Sequence, residues 1–329
     1  MKETLRKLFE KETLSTQEAK KVLLKITEGA FNHAQIASFL TVFLMRKITV
    51  AELTGFKDAM LEKAIRIDLS EYELIDLCGT GGDGKNTFNI STLTAFVVAG
   101  AGKKVAKHGN VGVSSVSGSS NLLSFLGLEF TNHPSVLLRQ LDRANICFLH
   151  APLFHPAMKT LAPVRKELGL RTFLNLLGPL VNPSQPNLQM VGVYHPEIAL
   201  LYNEVLKNNR LNYTIVHSTD GYDEISLTAP FLALGKNYQK TIEPSDLKMS
   251  QVLQNELFGG DSVAESAKIF SEIISGNGTN AQNNVVCVNA AFALKTIDES
   301  KSFEEAFEEA QSSLLGLKAK KSLDILLAI

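Results

Sequence analysis

Between Asp76 and Asn121 the chain reads DLCGTGGDGKNTFNISTLTAFVVAGAGKKVAKHGNVGVSSVSGSSN, two glycine- and hydroxyl-rich stretches on either side of a short apolar helix. No Asp or Glu occurs from Gly84 through Leu128. Glycines let the main chain approach a ligand closely, and amides and hydroxyls donate hydrogen bonds to it. The lysines Lys85, Lys103, Lys104 and Lys107 add charge that no neighbouring carboxylate in the sequence cancels. Chemistry that uses all of these together is the binding of phosphate groups.

Which phosphate compound is a question of spacing. Gly79, Gly81 and Gly84 match the dinucleotide pattern G-x-G-x-x-G, but that site needs an acid about 20 residues later for the ribose. Ala99 to Lys104 holds none, and the first carboxylate after Asp83 is Glu129. The same stretch misses a P-loop because Asn86 stands where the metal-binding Ser or Thr belongs. Its own content is two amide-rich turns followed by Asn89, Ser91 and Thr92 at a helix start. Those hydroxyls either cap the helix or join a pyrophosphate cradle. The second stretch repeats the theme with Lys107, His108, Asn110, Ser114, Ser115, Ser117 and Ser119. Alone it reads as a solvated loop. Parallel-sheet topology brings adjacent strand ends together, so the pair implies a ligand with two separated phosphate groups.

These loops need a sheet to hold them. From Leu74 onward, the runs ELIDLC, KKVAKHG, ANICFLHA, LQMVGVYH and LNYTIVHS alternate with helical segments, which predicts an α/β domain with a mostly parallel central sheet flanked by helices. KTLAPVRKELGL and TFLNLLGPLVNP predict a short helical excursion from that sheet. Residues 1–68 predict a small all-helical domain, joined by part of about 160–183, with the larger α/β domain at 69–329. Ser15 is a candidate helix cap. HAQIASFLTVFLMRK is too continuously apolar for an exposed helix, which leaves core or subunit interface. DLKMSQVLQNELFGGDSVAESAKIFSEIISG and NNVVCVNAAFALKTI predict helices separated by a Gly-Gly turn, and the remaining tail predicts packing helices.

Composition narrows the class. The chain has 329 residues, 45% hydrophobic and 20% charged, with net charge −1. That exceeds one small core and exerts no overall pull on nucleic acid or anionic membrane. Cys78, Cys147 and Cys287 lie far apart among apolar neighbours, as buried free thiols do in a reducing compartment. The sequence KETLRKLFEKE after Met1 has no apolar core of a secretory signal, and no run reaches the roughly 20 apolar residues of a membrane span. A cytoplasmic protein is expected.

The motifs resemble those of the anthranilate phosphoribosyltransferases, tryptophan-pathway relatives of the nucleoside phosphorylase class. The likeness runs through Gly79-Thr80-Gly81-Gly82-Asp83-Gly84, Asn89-Ile90-Ser91-Thr92, Lys107-His108-Gly109-Asn110, Ser114-Ser115 and Gly118-Ser119. It continues in His155-Pro156-Ala157-Met158-Lys159, Pro163-Val164-Arg165, Arg171-Thr172 and Asn175 to Leu180 with Asn182-Pro183. Asp220 to Glu224, Gly259-Gly260-Asp261 and Asn289-Ala290-Ala291 complete it, so it covers essentially the whole chain.

The resemblance implies transfer of the phosphoribosyl group of phosphoribosyl pyrophosphate (PRPP) to the amine of anthranilate. PRPP carries a 5-phosphate and a pyrophosphate at opposite ends of a ribose, which fits two loops. By resemblance Gly79, Gly82, Asp83 and Thr87 surround pyrophosphate and ribose. Asn89, Ile90, Ser91, Thr92 and Lys107 contact the phosphates, and His108, Gly109, Asn110, Ser114, Ser115 and Ser119 form the second loop's share. Asp223, Glu224 and Ser91 are the implied magnesium ligands; on its own the acid pair also reads as a solvated turn. Arg165 is the implied partner of the anthranilate carboxylate, a role that suits a guanidinium's two parallel donors. Gly79, Asn110, His108 and His155 are the other acceptor-site residues, with the two histidines equally readable as packed. No dedicated catalytic base is expected, because an aromatic amine is neutral at pH 7. A homodimer through the N-terminal helices is implied, with no nucleic-acid or membrane partner. Asn121 and Phe173-Leu174 depart from the family's usual residues. A pyrimidine nucleoside phosphorylase or a nucleic-acid-binding relative of this fold are the other readings; the first is longer and the second needs a basic surface.

Overall fold

The five strand-like runs become β1 (Leu74–Gly79), β2 (Lys104–Gly109), β3 (Ile146–His150), β4 (Leu188–Gly192) and β5 (Asn212–Ser218). The computed structural model describes residues 1–112, 116–207 and 212–329. The strands are nearly continuous in buried residues, Leu74–Leu77 in β1 and all of β4, because helices cover both faces of a parallel sheet. Two further strands, β6 (Phe231–Gly235) and β7 (Gln239–Ile242), extend the sheet to the order β3-β2-β1-β4-β5-β6-β7. The pairs from β3 to β5 are parallel, and β6 and β7 are antiparallel. This is the expected α/β architecture with two strands added. FLALG is too short for its periodicity to separate strand from helix, and β7 is a polar edge with Gln239, Lys240 and Thr241 exposed.

Strand order reverses direction between β1 and β4. From β1 the chain steps to β2 and β3, then returns to add β4 on the other side. In open α/β sheets the crevice beyond the C-terminal ends of two such strands is the usual ligand site. Here those ends are Gly79 and Gly192, paired in register.

One helical expectation fails. Residues 246–258 form no α-helix but two short 3-10 turns, Pro244–Leu247 and Gln254–Leu257, with Lys248 at φ 57° between them. The backbone there is committed elsewhere: Val252 donates to Leu227 O at 2.9 Å, and Leu257 O accepts from Phe88 N at 3.0 Å. Helix resumes at Val263–Ile274 and Asn280–Ile297.

The chain divides into two compact units, Met1–Ile67 with Ala151–Gln185, and Asp68–His150 with Pro186–Ile329. The first is helical. Three of its helices, Thr16–Thr27, His33–Met45 and Val50–Glu62, begin with reciprocal capping boxes at Ser15/Glu18, Asn32/Gln35 and Thr49/Glu52. The apolar segment buries Ile36, Phe39, Leu40, Val42 and Phe43, while Leu44 and Met45 are exposed. Phe173 stacks on Phe56 at 4.2 Å and meets Phe39 and Phe43 edge-on, so the aromatic at that departing position fills this core. Glu52, fully buried, accepts from Arg46, from the Leu14 amide and from Thr49. No helix among the described residues is long and apolar enough to cross a membrane. All three cysteines are free; Cys147 and Cys287 are buried and Cys78 is half-buried.

Candidate active site

At the reversal point the two strand-ending glycines make room for one acid. A Cβ at Gly79 would overlap the Asp223 carboxylate, and one at Gly192 would overlap the Asp223 carbonyl. Asp223 comes from the turn after β5, where Gly221 takes φ 97° and donates to Ser218 O at 2.8 Å. Ser218 Oγ donates to Glu224 O at 2.7 Å. The turn is irregular, which lets neighbouring carboxylates serve one site rather than point to opposite faces.

The first loop meets that turn directly. Gly81 and Gly82 take successive positive φ values of 62° and 81°, backbone that a side chain would strain. The Gly81 amide then donates to Asp223 Oδ2 at 2.7 Å. Asp83 Oδ1 accepts from the Lys85 amide at 3.0 Å, and the Lys85 ammonium sits over the Tyr222 ring at 4.6 Å. From behind, Gly259 N donates to Asn86 O and Asn86 Nδ2 to Gly260 O, both at 2.9 Å, and Thr87 bridges Phe258. The Gly259-Gly260 motif thus braces the loop; a Cβ at Gly259 would overlap Thr87. The helix Ile90–Gly100 starts with Asn89 as N-cap, with no side-chain cap. Ser91 and Thr92 are therefore not its caps. Asn89 Nδ2 instead donates to Ser117 O at 3.0 Å, tying the first loop to the second.

The second loop leaves β2 at Gly109 and Asn110. Ser119 Oγ donates to Asn110 O at 3.4 Å, and a Cβ at Gly109 would meet that hydroxyl and the Phe148 ring. Asn121 Oδ1 accepts from both Gly112 N at 2.8 Å and Gly118 N at 3.1 Å. Its carbonyl oxygen thereby holds both ends of the loop without a charge. Ser114 and Ser115 lie outside the described residues. The buried hydroxyls Thr80 Oγ1, Thr92 Oγ1 and Ser117 Oγ have no hydrogen-bond partner among the described residues.

The lysines divide differently from their clustering in sequence. Lys104 begins β2 and donates to Leu141 O and Asn145 Oδ1, roughly 16 Å along the strand from Gly109 at about 3.3 Å per residue. Lys107 is buried, its Nζ donating to Leu77 O at 2.6 Å. His108 is buried beside it, its amide donating to Asp76 Oδ1 at 3.1 Å.

Three carboxylates converge. Asp83, Asp223 and Glu224 each offer an oxygen, all within 4.8 Å of one another. Burial, with Asp83 alongside, pushes the Asp223 carboxyl up; burial and the Asp223 charge push Glu224 up as well. Glu224 Oε2 is buried without a partner among the described residues. Like charges gathered out of water with an oxygen to spare fit a hard divalent cation, whose preferred ligands are carboxylate oxygens. Ser91 lines the same small pocket with Asp223, Glu224 and Gly79.

Arg165 and His155 belong to the helical unit. Arg165 is half-buried in the short helix Ala162–Leu168. His155 is 4% exposed, and burial holds its pKa down at about 4, so its ring is neutral near pH 7. Sequence reasoning missed Gly192 and the position of Asp83 beside Asp223 and Glu224. LQMVG ends in glycine just as LIDLCG does, which was the available signal for the first. For Asp83 none existed, because only the fold brings residue 83 to residue 223.

The chain matches the helical bundle domain of a glycosyl transferase family over residues 2–64 and the family's a/b domain over residues 71–319. It is 56% identical over 323 residues to anthranilate phosphoribosyltransferase of Flavobacterium johnsoniae, covering 98% of each, and 49% identical over 323 residues to that of Bacteroides fragilis, again covering 98% of each. Among solved structures, anthranilate phosphoribosyltransferase of Thermus thermophilus superposes with TM-score 0.91 at 31% identity, covering 98% of both chains. The Saccharomyces cerevisiae enzyme in complex with PRPP and Mg superposes with TM-score 0.90 at 27% identity, covering 98% of this chain and 96% of that one.

Proposed function

The chain belongs to the anthranilate phosphoribosyltransferases of the glycosyl transferase family, and from that membership we propose how its own residues divide the work. The reaction moves the phosphoribosyl group of PRPP to the amine of anthranilate, giving N-(5-phosphoribosyl)anthranilate and pyrophosphate, a step of tryptophan biosynthesis. The observation that carries the assignment of roles is the joining of the first loop to the acidic turn through Gly81 and Asp223.

The first loop, Gly79 to Thr92, takes the pyrophosphate and ribose. Its amides, Thr87, and the buried hydroxyls Thr80 and Thr92 suit phosphate oxygens, which accept. The second loop, from Gly109 and Asn110 to Ser119, takes the 5-phosphate, with Ser117 as a further donor. Lys107 acts from beneath the sheet end, not as a surface contact. Asp83, Asp223 and Glu224, with Ser91 beside them, would hold Mg2+, which when bound stabilises charge on the departing pyrophosphate. Asp83 therefore joins the ligands expected from sequence.

Arg165 pairs with the anthranilate carboxylate, and Gly79, Asn110, His108 and His155 hold the ring and amine. His155 is neutral near pH 7, which suits packing against an aromatic ring and not anion binding. The aromatic amine attacks without prior deprotonation, so alignment and leaving-group stabilisation supply the rate. We place the enzyme in the cytoplasm as a homodimer, with exposed Leu44 and Met45 at the end of an N-terminal helix suited to an interface.

Incubation with PRPP, anthranilate and Mg2+, followed by identification of the product, tests the reaction. Phosphoribosyl-anthranilate is expected. Phosphorolysis of thymidine or uridine in its place would favour a nucleoside phosphorylase.

A further inference from the structure

Asn289 sits in the helix Asn280–Ile297, in a stretch where Val285 through Leu294 are all buried, and is itself 2% exposed. A carboxamide in such a helix is costly unless every polar atom is paired. Here each is. Asn289 Oδ1 accepts from Ile225 N at 3.1 Å, and Nδ2 donates to Ile225 O at 2.8 Å and to Val285 O at 2.8 Å. One side chain thus holds both the amide and the carbonyl of Ile225. That residue directly follows Glu224.

The consequence is geometric. With Ile225 gripped on both sides and Glu224 O held by Ser218 Oγ at 2.7 Å, the backbone that carries the Glu224 carboxylate is fixed from the helix and from β5. Ser218 Oγ also accepts from Ser226 N at 3.1 Å, so the two grips act on consecutive residues. Asn289 lines the pocket shared by Ser91, Asp223 and Glu224. An amide whose only task was stability could pair anywhere along the helix; this one pairs with the residue that aims a carboxylate.

We infer that Asn289 is a positioning residue for the acidic turn, setting metal affinity by holding Ile225 and, through it, the Glu224 carboxylate. The inference rests on the proposal that Asp83, Asp223 and Glu224 bind a divalent cation. Groups that orient metal ligands from behind typically change affinity about 10- to 100-fold when removed.

The experiment is a Mn2+ titration of the full chain with saturating PRPP, read from the paramagnetic resonance of free Mn2+. Parallel assays determine the Mg2+ requirement and the KM for anthranilate. Asn289→Leu keeps shape and removes all three hydrogen bonds; Asn289→Asp keeps only the acceptor toward Ile225. Ser313→Ala is the control, since it removes a buried hydrogen bond to Val97 O elsewhere in the unit. Asn289→Leu is expected to weaken Mn2+ about 10-fold or more and to raise the half-saturating Mg2+ in parallel. Asn289→Asp should fall between it and the unmodified chain, with the anthranilate KM and the control's metal binding unmoved. Unchanged Mn2+ affinity in Asn289→Leu, with a melting temperature lowered like the control's, would overturn the inference. If Asn289→Leu does not fold, Asn289→Asp and Ser218→Ala decide in the same way: weaker Mn2+ supports it and unchanged Mn2+ refutes it. Unchanged Mn2+ affinity in Asp223→Asn would overturn the metal assignment itself, and the inference with it.

Discussion

Gly81 and Asp223, 142 residues apart in the chain, are joined by a 2.7 Å hydrogen bond from the glycine amide to Asp223 Oδ2. Through it the glycine loop and the acidic turn form one cradle. Gly79 and Gly192 flank the same acid closely enough that a methyl group on either would overlap it.

Because that space is occupied by Asp223, Gly192→Ala and Gly79→Ala are expected to displace the acid. A shift near 1 Å at a reacting centre costs roughly 100-fold in rate, so kcat/KM for PRPP should fall by about that factor. Steady-state kinetics with each variant at saturating anthranilate check this. Near-normal kcat/KM in Gly192→Ala would mean that the turn does not need its observed position.

Arg165→Ala should act on the acceptor alone. Loss of a hydrogen-bonded charge pair is worth about 1.5–3 kcal/mol, or roughly 10- to 100-fold, and should appear as a raised KM for anthranilate with the KM for PRPP nearly unchanged. Arg165→Lys should recover only part of it, since an ammonium lacks the planar fork. An equal rise in both KM values would refute the assignment.

Asn121 offers a sharper comparison. Its Oδ1 holds Gly112 and Gly118, a task that a carboxylate oxygen can also perform. Asn121→Asp is therefore expected to stay within about 3-fold of the unmodified chain in kcat/KM for PRPP, and Asn121→Leu to lose about 10-fold, in line with one or two lost hydrogen bonds. Equal effects of the two substitutions would show that the loop tether is not what matters.

The difference between readable and unreadable residues follows from range. Gly79 to Thr92 and Lys107 to Ser119 are each contiguous, so glycine and hydroxyl density revealed the two loops, and apolar runs revealed β1 to β5. The approach of Asp83 to Asp223 and the brace from Gly259 arise from pairings more than a hundred residues apart, which no local pattern encodes, whereas Gly192 left a local trace in the glycine that ends its strand. Local pattern also misled where backbone bonding overrode it. The 246–258 segment has helical spacing, but its Val252 amide donates to Leu227 O and its Leu257 carbonyl accepts from the Phe88 amide of the first loop, and Lys103 and Lys104 look like phosphate ligands until strand direction places them at the wrong end of β2.

Stability of the helical unit should depend on pH through Glu52. Burial alone would raise its pKa, but Arg46 and the amides of Leu14 and Thr49 outweigh that and hold it below the usual value. A carboxyl depressed in the folded state contributes stability above its unfolded pKa of about 4.3 and loses it as pH falls through the folded value. Glu52→Gln should thus melt well below the unmodified chain at pH 7, with a loss of about 3–5 kcal/mol as expected for breaking a buried pair, and the gap should narrow toward pH 3. A gap that is constant with pH would exclude the ionised pair as its source.

The most direct measurement is the rate of pyrophosphate release from PRPP with anthranilate present, across a Mg2+ titration, for the unmodified chain and for Asp223→Asn. The cradle predicts one pyrophosphate per phosphoribosyl-anthranilate, turnover that vanishes when Mg2+ is removed, and an Asp223→Asn variant that is folded but slower by about 100-fold or more. Full turnover by Asp223→Asn at the same Mg2+ concentration would contradict it.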